Sequence, residues 1–255
     1  MKHGFIASLA FIIVLCAAGA FAAPPVGGPA EVAPGQWGFS AGYFYSQDKW
    51  SSNTLGGGRL PEFEPKVVSN TYFGQFAYGL APGWDIYLRA GAIDAELKDS
   101  DANWKSNPQF FGGMGIHGRL YEKKDWHLAL GPAADFAYFA NWGDRSSFQN
   151  GNLSVKMTDH YSFNVGFGFQ YTPAPYVTLY GGPFYHYETA KLETFGNVVV
   201  GGTNYIIDDK SNISPDRSFG GRFGARFPLT KSISFQAEVQ MRDYVSGGGW
   251  LTYGF

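Results

Sequence analysis

Apolar and polar side chains alternate with a period of two along most of this chain. The stretch SISFQAEVQMR at 232–242 sets isoleucine, phenylalanine, alanine, valine and methionine against serine, glutamine, glutamate and arginine. Successive side chains of a strand point to opposite faces of a sheet, whereas a helix would mix these two sets. The same alternation recurs at 160–171 and 218–227. The pattern predicts strands that have one apolar and one polar face.

Ten segments of this kind are predicted along the chain. They span 37–46, 71–80, 85–97, 109–120, 126–141, 160–171, 176–192, 217–228, 232–244 and 249–255. Pro132 lies within the fifth segment and Pro183 within the seventh, where a proline removes a ladder hydrogen bond. We therefore expect a bulge at each of these prolines, which leaves the register of both strands open.

The links between the predicted strands alternate between short and long. The short ones are APGW at 81–84, YEKKD at 121–125, TPAP at 172–175 and LTK at 229–231. The long ones, such as 47–70 and 193–216, are rich in glycine, serine, asparagine and aspartate. Short periplasmic turns that alternate with long extracellular loops are typical of outer-membrane barrels. The sequence thus predicts an all-β fold, a closed antiparallel transmembrane β-barrel of ten strands, with eight strands as the alternative.

Composition supports a barrel in lipid. Aromatic residues make up 18% of the chain beside 35 glycines, yet the mean hydropathy is only −0.17. A barrel that places aromatic girdles outward and polar groups inward has this combination. The net charge of −2 gives no electrostatic basis for binding nucleic acid.

The amino-terminal residues predict export. Lys2 and His3 precede an apolar stretch at 5–18 and small residues near Ala22, which indicates a signal peptide over 1–22. Cleavage there would remove the only cysteine. Residues 23–35 are rich in proline, glycine and alanine and are interpreted as a flexible periplasmic leader. The barrel domain is expected over 36–255.

The chain ends on GWLTYGF, with Leu251, Tyr253 and Phe255 at alternate positions. These residues would face lipid on a last strand that closes the barrel. The ending resembles that of Gram-negative outer-membrane β-barrel proteins, whose final strand typically ends in phenylalanine. The resemblance implies an outer-membrane location among lipid and lipopolysaccharide and recognition by the barrel-assembly machinery. We also expect a monomeric state. Trp250 departs from the pattern, because glycine is common at that position.

Candidate chemistry is sparse. No histidine, cysteine and carboxylate cluster has metal-ligand spacing, so no metal or cofactor is expected. His160 and Ser162 share one strand face, where a histidine could act as base toward the hydroxyl. The pair resembles the His-x-Ser of lipid A deacylase barrels, although Phe163 stands where that family has asparagine. Asp159 and His160 do not reproduce the spacing of the omptin surface proteases.

Charged side chains are assigned to the lumen by strand parity. They are Arg89, Arg119, Asp135, Arg222, Arg226, Glu238 and Arg242, with His117, His127 and His186. If LTK forms the turn between the eighth and ninth strands, Arg222 lies opposite Glu238, and Arg226 lies opposite Ser234. By the same construction Arg119 faces His127. Because a ten-stranded lumen is narrow, Arg222 and Glu238 are expected to form part of a plug.

The sequence therefore favours a non-enzymatic integral outer-membrane protein, with no catalytic residue assigned. It would act as a narrow small-solute pore or as an envelope-structural or surface protein. One alternative is an outer-membrane hydrolase that uses His160 and Ser162. Another is an adhesin or receptor that acts through the loops at 47–70 and 193–216.

Overall fold

The computed structural model describes residues 27–28, 32–52, 66–98, 103–148, 151–200, 203–216 and 218–255. The predicted signal peptide lies outside these residues, as does 53–65 of the first predicted loop. Within the described residues the chain forms fourteen strands and one short 3-10 turn, Lys124–Trp126. The strands are β1 (Trp37–Ser52), β2 (Lys66–Ala81), β3 (Trp84–Lys98), β4 (Asn103–Lys105), β5 (Gln109–Gly118), β6 (Tyr121–Lys123), β7 (Leu128–Phe139), β8 (Trp142–Phe148), β9 (Gly151–Ala174), β10 (Val177–Val200), β11 (Thr203–Pro215), β12 (Phe219–Pro228), β13 (Ile233–Met241) and β14 (Val245–Gly254).

Ten of these strands form a closed antiparallel ring in the order β1-β2-β3-β5-β7-β9-β10-β12-β13-β14. The ring closes because β14 pairs with β1, from Gly38 opposite Gly254 to Tyr45 opposite Gly247. Closure leaves the ring without an edge strand, so each backbone polar group of its ladders can pair with a neighbour. The predicted ten-stranded barrel is confirmed, and the eight-stranded alternative is wrong.

Both ends of the barrel sequence lie at one end of the ring, which we call the lower end. Trp37 and Phe255 exchange two backbone hydrogen bonds there, each 3.0 Å from nitrogen to oxygen. The connections 82–83, 175–176 and 229–232 also lie at this end. The short predicted links therefore lie at the lower end of the barrel, and the long predicted links lie at the upper end.

The long polar links are more ordered than the sequence analysis expects. Residues 47–52 and 66–70 continue β1 and β2, and residues 193–200 continue β10. Residues 203–215 form β11, which pairs with β10 and with the top of β1. Runs of β-branched and aromatic residues, VVV at 198–200 and YII at 205–207, flank a Gly-Gly step in the sequence and favour such a hairpin. The upper end is consequently a sheet extension, and the prediction of loops over these residues is wrong.

Neither predicted proline bulge is present. Pro132 pairs with Phe167 in an unbroken register between β7 and β9, and Pro183 pairs with Gly221 in β12. The β5 ladder stops one residue before Pro132, and the β9 ladder lapses beside Pro183. The missing N–H of each proline thus coincides with a gap in one ladder. The gap beside Pro183 keeps its register, whereas the gap beside Pro132 has one extra residue on the neighbouring strand, because His117 lies opposite Ala133 and Tyr121 opposite Leu130.

The register of β12 and β13 differs from the prediction by two residues. Arg222 lies opposite Gln240, Arg226 opposite Gln236, and Glu238 opposite Gly224. The turn is wider than LTK because the Thr230 hydroxyl accepts hydrogen bonds from the amides of Ser232 and Ile233. An even shift leaves each side chain on its predicted face but changes its partner. The predicted facing of Arg222 and Glu238 is therefore wrong.

Large apolar side chains cover the outer face of the ring. Exposed members include Phe39, Tyr72, Phe76, Leu88, Met114, Phe136, Phe163, Phe167, Phe223, Leu251, Tyr253 and Phe255. Contiguous apolar surface of this extent is rare on a monomeric soluble protein. No helix among the described residues is long and apolar enough to cross a membrane.

Candidate functional site in the barrel lumen

A group of buried charged side chains occupies the lower half of the lumen. This lower polar group comprises Asp85, Arg89, His117, Asp135, Arg222 and Glu238. His117 Nδ1 lies 2.9 Å from Asp85 Oδ1. Glu238 accepts a 2.7 Å hydrogen bond from Gln240. Paired in this way, buried charges recover part of the hydration that they lose in a narrow lumen.

Two arginines of the lower polar group differ in their surroundings. Arg89 donates from Nε and Nη2 to Gln75 Oε1, at 3.0 and 2.7 Å, and its guanidinium lies about 5 Å from the rings of Phe73 and Tyr87. Arg222 is buried against β9, and its Nε and Nη1 have no hydrogen-bond partner among the described residues. Arg89 is therefore fixed by one amide oxygen and two rings, and Arg222 by packing.

A chain of hydrogen bonds runs upward from the lower polar group. Asn164 donates to Asp135 at 2.9 Å, and its Oδ1 lies 2.6 Å from His186 Nδ1. His186 Nε2 and His160 Nε2 contact the two carboxylate oxygens of Glu188, at 2.9 and 2.7 Å. The chain crosses the ladder between β9 and β10 and connects two histidines through one carboxylate.

Aromatic side chains fill the middle of the lumen. This inner aromatic cluster comprises Phe44, Phe73, Phe111, Ala137, Phe139 and Trp250. Phe44 and Phe111 are fully buried, and the rings of Phe111 and Phe139 stack at 5.7 Å. The cluster lies directly above Arg89, which contacts the Phe73 ring.

A second apolar cluster fills the upper lumen. This outer apolar cluster comprises Trp50, Leu97, Trp142, Val155, Met157, Ala190, Leu192 and Ile213. His160 connects the two clusters, because its ring stacks on Phe139 at 4.2 Å and meets the edge of Trp50 at 5.7 Å. Beside them, Arg242 and Asp48 form a buried ion pair with Nη2 2.5 Å from Oδ1.

Part of the predicted leader contacts the lower polar group. The amide of Gly27 donates to Glu238 Oε2 at 2.9 Å, and the amide of Val32 donates to Asp85 Oδ2 at 3.0 Å. Gly27 also lies against the ring of His117. Gly35 donates to the carbonyl of Gly79 at 2.8 Å. Residues 27 and 32–36 therefore lie at the lower mouth of the lumen.

The remaining residues assigned to the lumen lie nearer its lower rim. Arg119 forms a 3.5 Å ion pair with Glu122. Arg226 and Lys231 line a cavity of about 500 Å³ at the lower mouth. His127 ends the 3-10 turn with a φ of 50° and is exposed. Its predicted place in the lumen opposite Arg119 is wrong. His127 lies in the turn before β7, where side chains do not alternate between the two faces of a strand.

His160 and Ser162 do not form a nucleophile–base pair. His160 directs Nε2 to Glu188, while the Ser162 hydroxyl is fully buried and has no hydrogen-bond partner among the described residues. Both side chains are buried inside the filled lumen. The geometry of this pair provides no access for a lipid or peptide substrate.

Metal chemistry has no support in the described part of the chain, where no three histidine, cysteine or carboxylate side chains could hold an ion.

The inner aromatic cluster was not predicted from the sequence. Its signal is the pairing of adjacent aromatics: Tyr43-Phe44, Tyr72-Phe73, Phe110-Phe111 and Tyr138-Phe139. Because neighbouring side chains of a strand point to opposite faces, each pair must place one ring inside.

The last strand carries the predicted assembly residues on its outer face. Leu251, Tyr253 and Phe255 are each about half exposed, and the rings of Tyr253 and Phe255 lie 5.7 Å apart. Trp250 lies on the opposite face, in the inner aromatic cluster. The residue that departs from the usual ending thus belongs to the lumen filling.

Comparisons with known proteins agree with this architecture. Residues 68–253 match the model of the outer membrane protein beta-barrel domain. Among solved structures, the outer membrane protease OmpT from Escherichia coli is 11% identical, with 89% of this chain and 99% of that chain covered and a TM-score of 0.51. The outer membrane protein OprG from Pseudomonas aeruginosa is 12% identical, with 88% and 98% covered and a TM-score of 0.45. No curated protein matches the sequence. The chain belongs to the outer-membrane protein β-barrel domain family and is an outer-membrane protein.

Proposed function

We propose that this protein is a non-enzymatic envelope protein, structural or surface-displayed, whose barrel lumen is closed. The observation that carries the proposal is the apolar filling of the lumen at two levels. The inner aromatic cluster consists of buried side chains from strands of the ring, and the outer apolar cluster adds Trp142 of β8 and Ile213 of β11 to such side chains. Ten strands enclose little more space than side chains can fill, so these rings leave little room for solutes.

The lower polar group supports the same conclusion. Its side chains are buried and contact neighbouring groups, as in the contacts of His117 with Asp85 and of Arg89 with Gln75. Hydrated ions pass poorly through a lumen whose middle is lined by rings, because the rings offer no replacement for the ions' water. The small-solute pore that the sequence also allows has less support from these contacts.

The arrangement of His160 and Ser162 supports a non-enzymatic role, because no histidine is hydrogen-bonded to the Ser162 hydroxyl among the described residues. His160 is bound to Glu188, and Ser162 is enclosed between strands. OmpT is a protease, but at 11% identity its likeness concerns the fold. A histidine that lies between two aromatic rings is suited to fill the lumen.

Conductance of the refolded protein in a planar bilayer tests the proposal. The unmodified protein is expected to show little or no single-channel current. Removal of two rings by F44A and W250A should open the inner aromatic cluster and raise the current. The matched variant F39A, which removes a ring from the outer face, should leave the current unchanged. A wide, stable channel in the unmodified protein would contradict the closed lumen and favour a pore.

A further inference from the structure

Two deeply buried carboxylates at the lower end of the lumen bind backbone amides of the leader. Glu238 and Asp85 are each about 1% exposed. One oxygen of each accepts a hydrogen bond from the chain before β1, from Gly27 and from Val32. Hydrogen bonds to ionised acceptors are stronger than hydrogen bonds between neutral groups. Loss of the donor costs more free energy when the acceptor is buried than when water can replace the donor.

The barrel wall is shaped to receive the leader backbone. A Cβ at Gly79 of β2 would lie only 2.0 Å from the carbonyl oxygen of Ala33. Pro34 forms a parallel bridge with Gly79, and the Gly79 amide donates to the carbonyl of Gln36 at 3.1 Å. Only glycine permits this approach, so β2 and the leader meet through backbone alone, as in recognition by strand addition.

The leader leaves little space in the lower lumen. A cavity of about 40 Å³ remains among Gly27, Val32, Asp85, Arg89 and His117. This volume holds roughly one water molecule. Below it, Val32 and Ala33 form part of the wall of the wider mouth cavity. The leader therefore separates the lower polar group from the solvent below.

We propose that the lower end of the lumen is a peptide-binding site and that its occupant is the chain before β1, through residues 27–28 and 32–36. Buried carboxylates accept hydrogen bonds from amides of this segment, and a glycine in the wall admits its backbone. By occupying the site, the leader seals the charged lower lumen from the periplasm. This inference does not depend on whether the barrel conducts, because the inner aromatic cluster lies above the site.

Hydrogen exchange on the full mature chain in detergent is the first test of the proposal, and its first measurement uses the unmodified protein. The amides of Gly27 and Val32 should exchange on the order of 100-fold more slowly than in an unstructured peptide. The double variant D85L and E238M removes both acceptors at similar side-chain size. Protection at the two amides should then fall by about tenfold or more. The matched control E188M removes a lumen carboxylate that contacts histidines, not the leader, and should keep the protection.

Binding in trans provides the second measurement. A barrel that begins at Gly35, checked for folding by its gel shift before and after boiling, should bind a synthetic peptide of residues 23–34. The full-length chain should not bind it, because its site is occupied. Unprotected amides at Gly27 and Val32 in the unmodified protein would overturn the proposal. So would a folded short barrel that does not bind the peptide, or equal binding by the full-length chain.

Discussion

At the scale of single residues, strand parity decides whether a side chain meets lipid or the lumen. Phe223 and Arg222 are neighbours in β12, yet Phe223 is 49% exposed on the outer face and Arg222 is buried inside. The same alternation separates Leu251 from Trp250 in β14. The two faces require different chemistry, because one contacts hydrocarbon and the other contacts buried charges and rings.

A charge on the outer face is expected to be costly. F223R places a guanidinium at the middle of β12 and should lower the free energy of unfolding in lipid vesicles by about 2–4 kcal/mol. F223L, which stays apolar, should cost much less. Denaturant titration of both variants measures the difference. Equal costs would mean that this face does not lie in hydrocarbon.

Inside the lumen, the tolerance of a position depends on its neighbours. Parity alone suggests that arginine at Gln236 would be mild, because the position faces inward. Gln236 is buried opposite Arg226, and its Nε2 lies 3.4 Å from the hydroxyl oxygen of Thr252. An arginine there would meet a like charge in a filled space. We therefore expect Q236R to destabilise the barrel as well, for a reason unrelated to lipid.

The ion pair between Asp48 and Arg242 should show strong coupling. R242M leaves the buried Asp48 carboxylate without its partner and is expected to cost about 3–5 kcal/mol in the free energy of unfolding. The double variant D48L and R242M removes both charges and should cost less than R242M alone. A denaturant titration of the two single variants and the double variant gives the coupling energy. Additive costs would show that the pair contributes nothing beyond packing.

At the scale of elements, the last strand performs two tasks. β14 closes the ring by pairing with β1 and β13, and it presents Leu251 and Tyr253 outward, followed by Phe255 directly after the strand. Closure is a backbone property, because ladder hydrogen bonds do not depend on side-chain identity. Recognition of the outward side chains during assembly would be a separate property, and a variant can distinguish the two.

Replacement of Phe255 should affect assembly more than folding. F255D is expected to reduce the amount of folded protein in the outer membrane strongly, while refolding in detergent changes little. The reason is that Phe255 resembles an assembly signal and contributes only one ring to the outer face. Folded protein in isolated outer membranes and refolded yield in detergent are the two measurements, with T252S as a control. Normal outer-membrane levels of F255D would refute the signal interpretation.

At the scale of the whole molecule, closure of the ring dominates stability. The ring has two strand edges with unpaired backbone groups until the last of its ten ladders forms, so the barrel should unfold as one unit. Nearly all of the described chain is strand, apart from short turns and one 3-10 turn. The inner and outer clusters connect strands across the lumen and strengthen this cooperativity.

The folded protein should therefore be heat-modifiable. In detergent it is expected to migrate differently on a gel before and after boiling, and its circular dichroism should be almost entirely β. The boiled sample provides the internal control, because it carries the same chain without the closed ring. A helical spectrum, or identical migration in both states, would be incompatible with this barrel.

The sequence alone determined the fold class, the ten-strand count, the two faces and the outward ending of the chain. These properties follow from a period of two and from the spacing of turn residues, which are local and can be read along the chain. The adjacent aromatic pairs also required rings inside the lumen, although this consequence becomes clear only once parity is fixed. Local patterns cannot reveal which inward side chains meet.

Only the tertiary structure decided the partners within the lumen. The turn at 229–232 shifted Arg222 from Glu238 to Gln240, and a turn's width depends on hydrogen bonds such as those of Thr230. Contacts across the ring, such as His160 with Trp50 and Gly27 with Glu238, join residues far apart in sequence. Such contacts depend on closure, strand stagger and the shape of the enclosed space, which no single strand encodes.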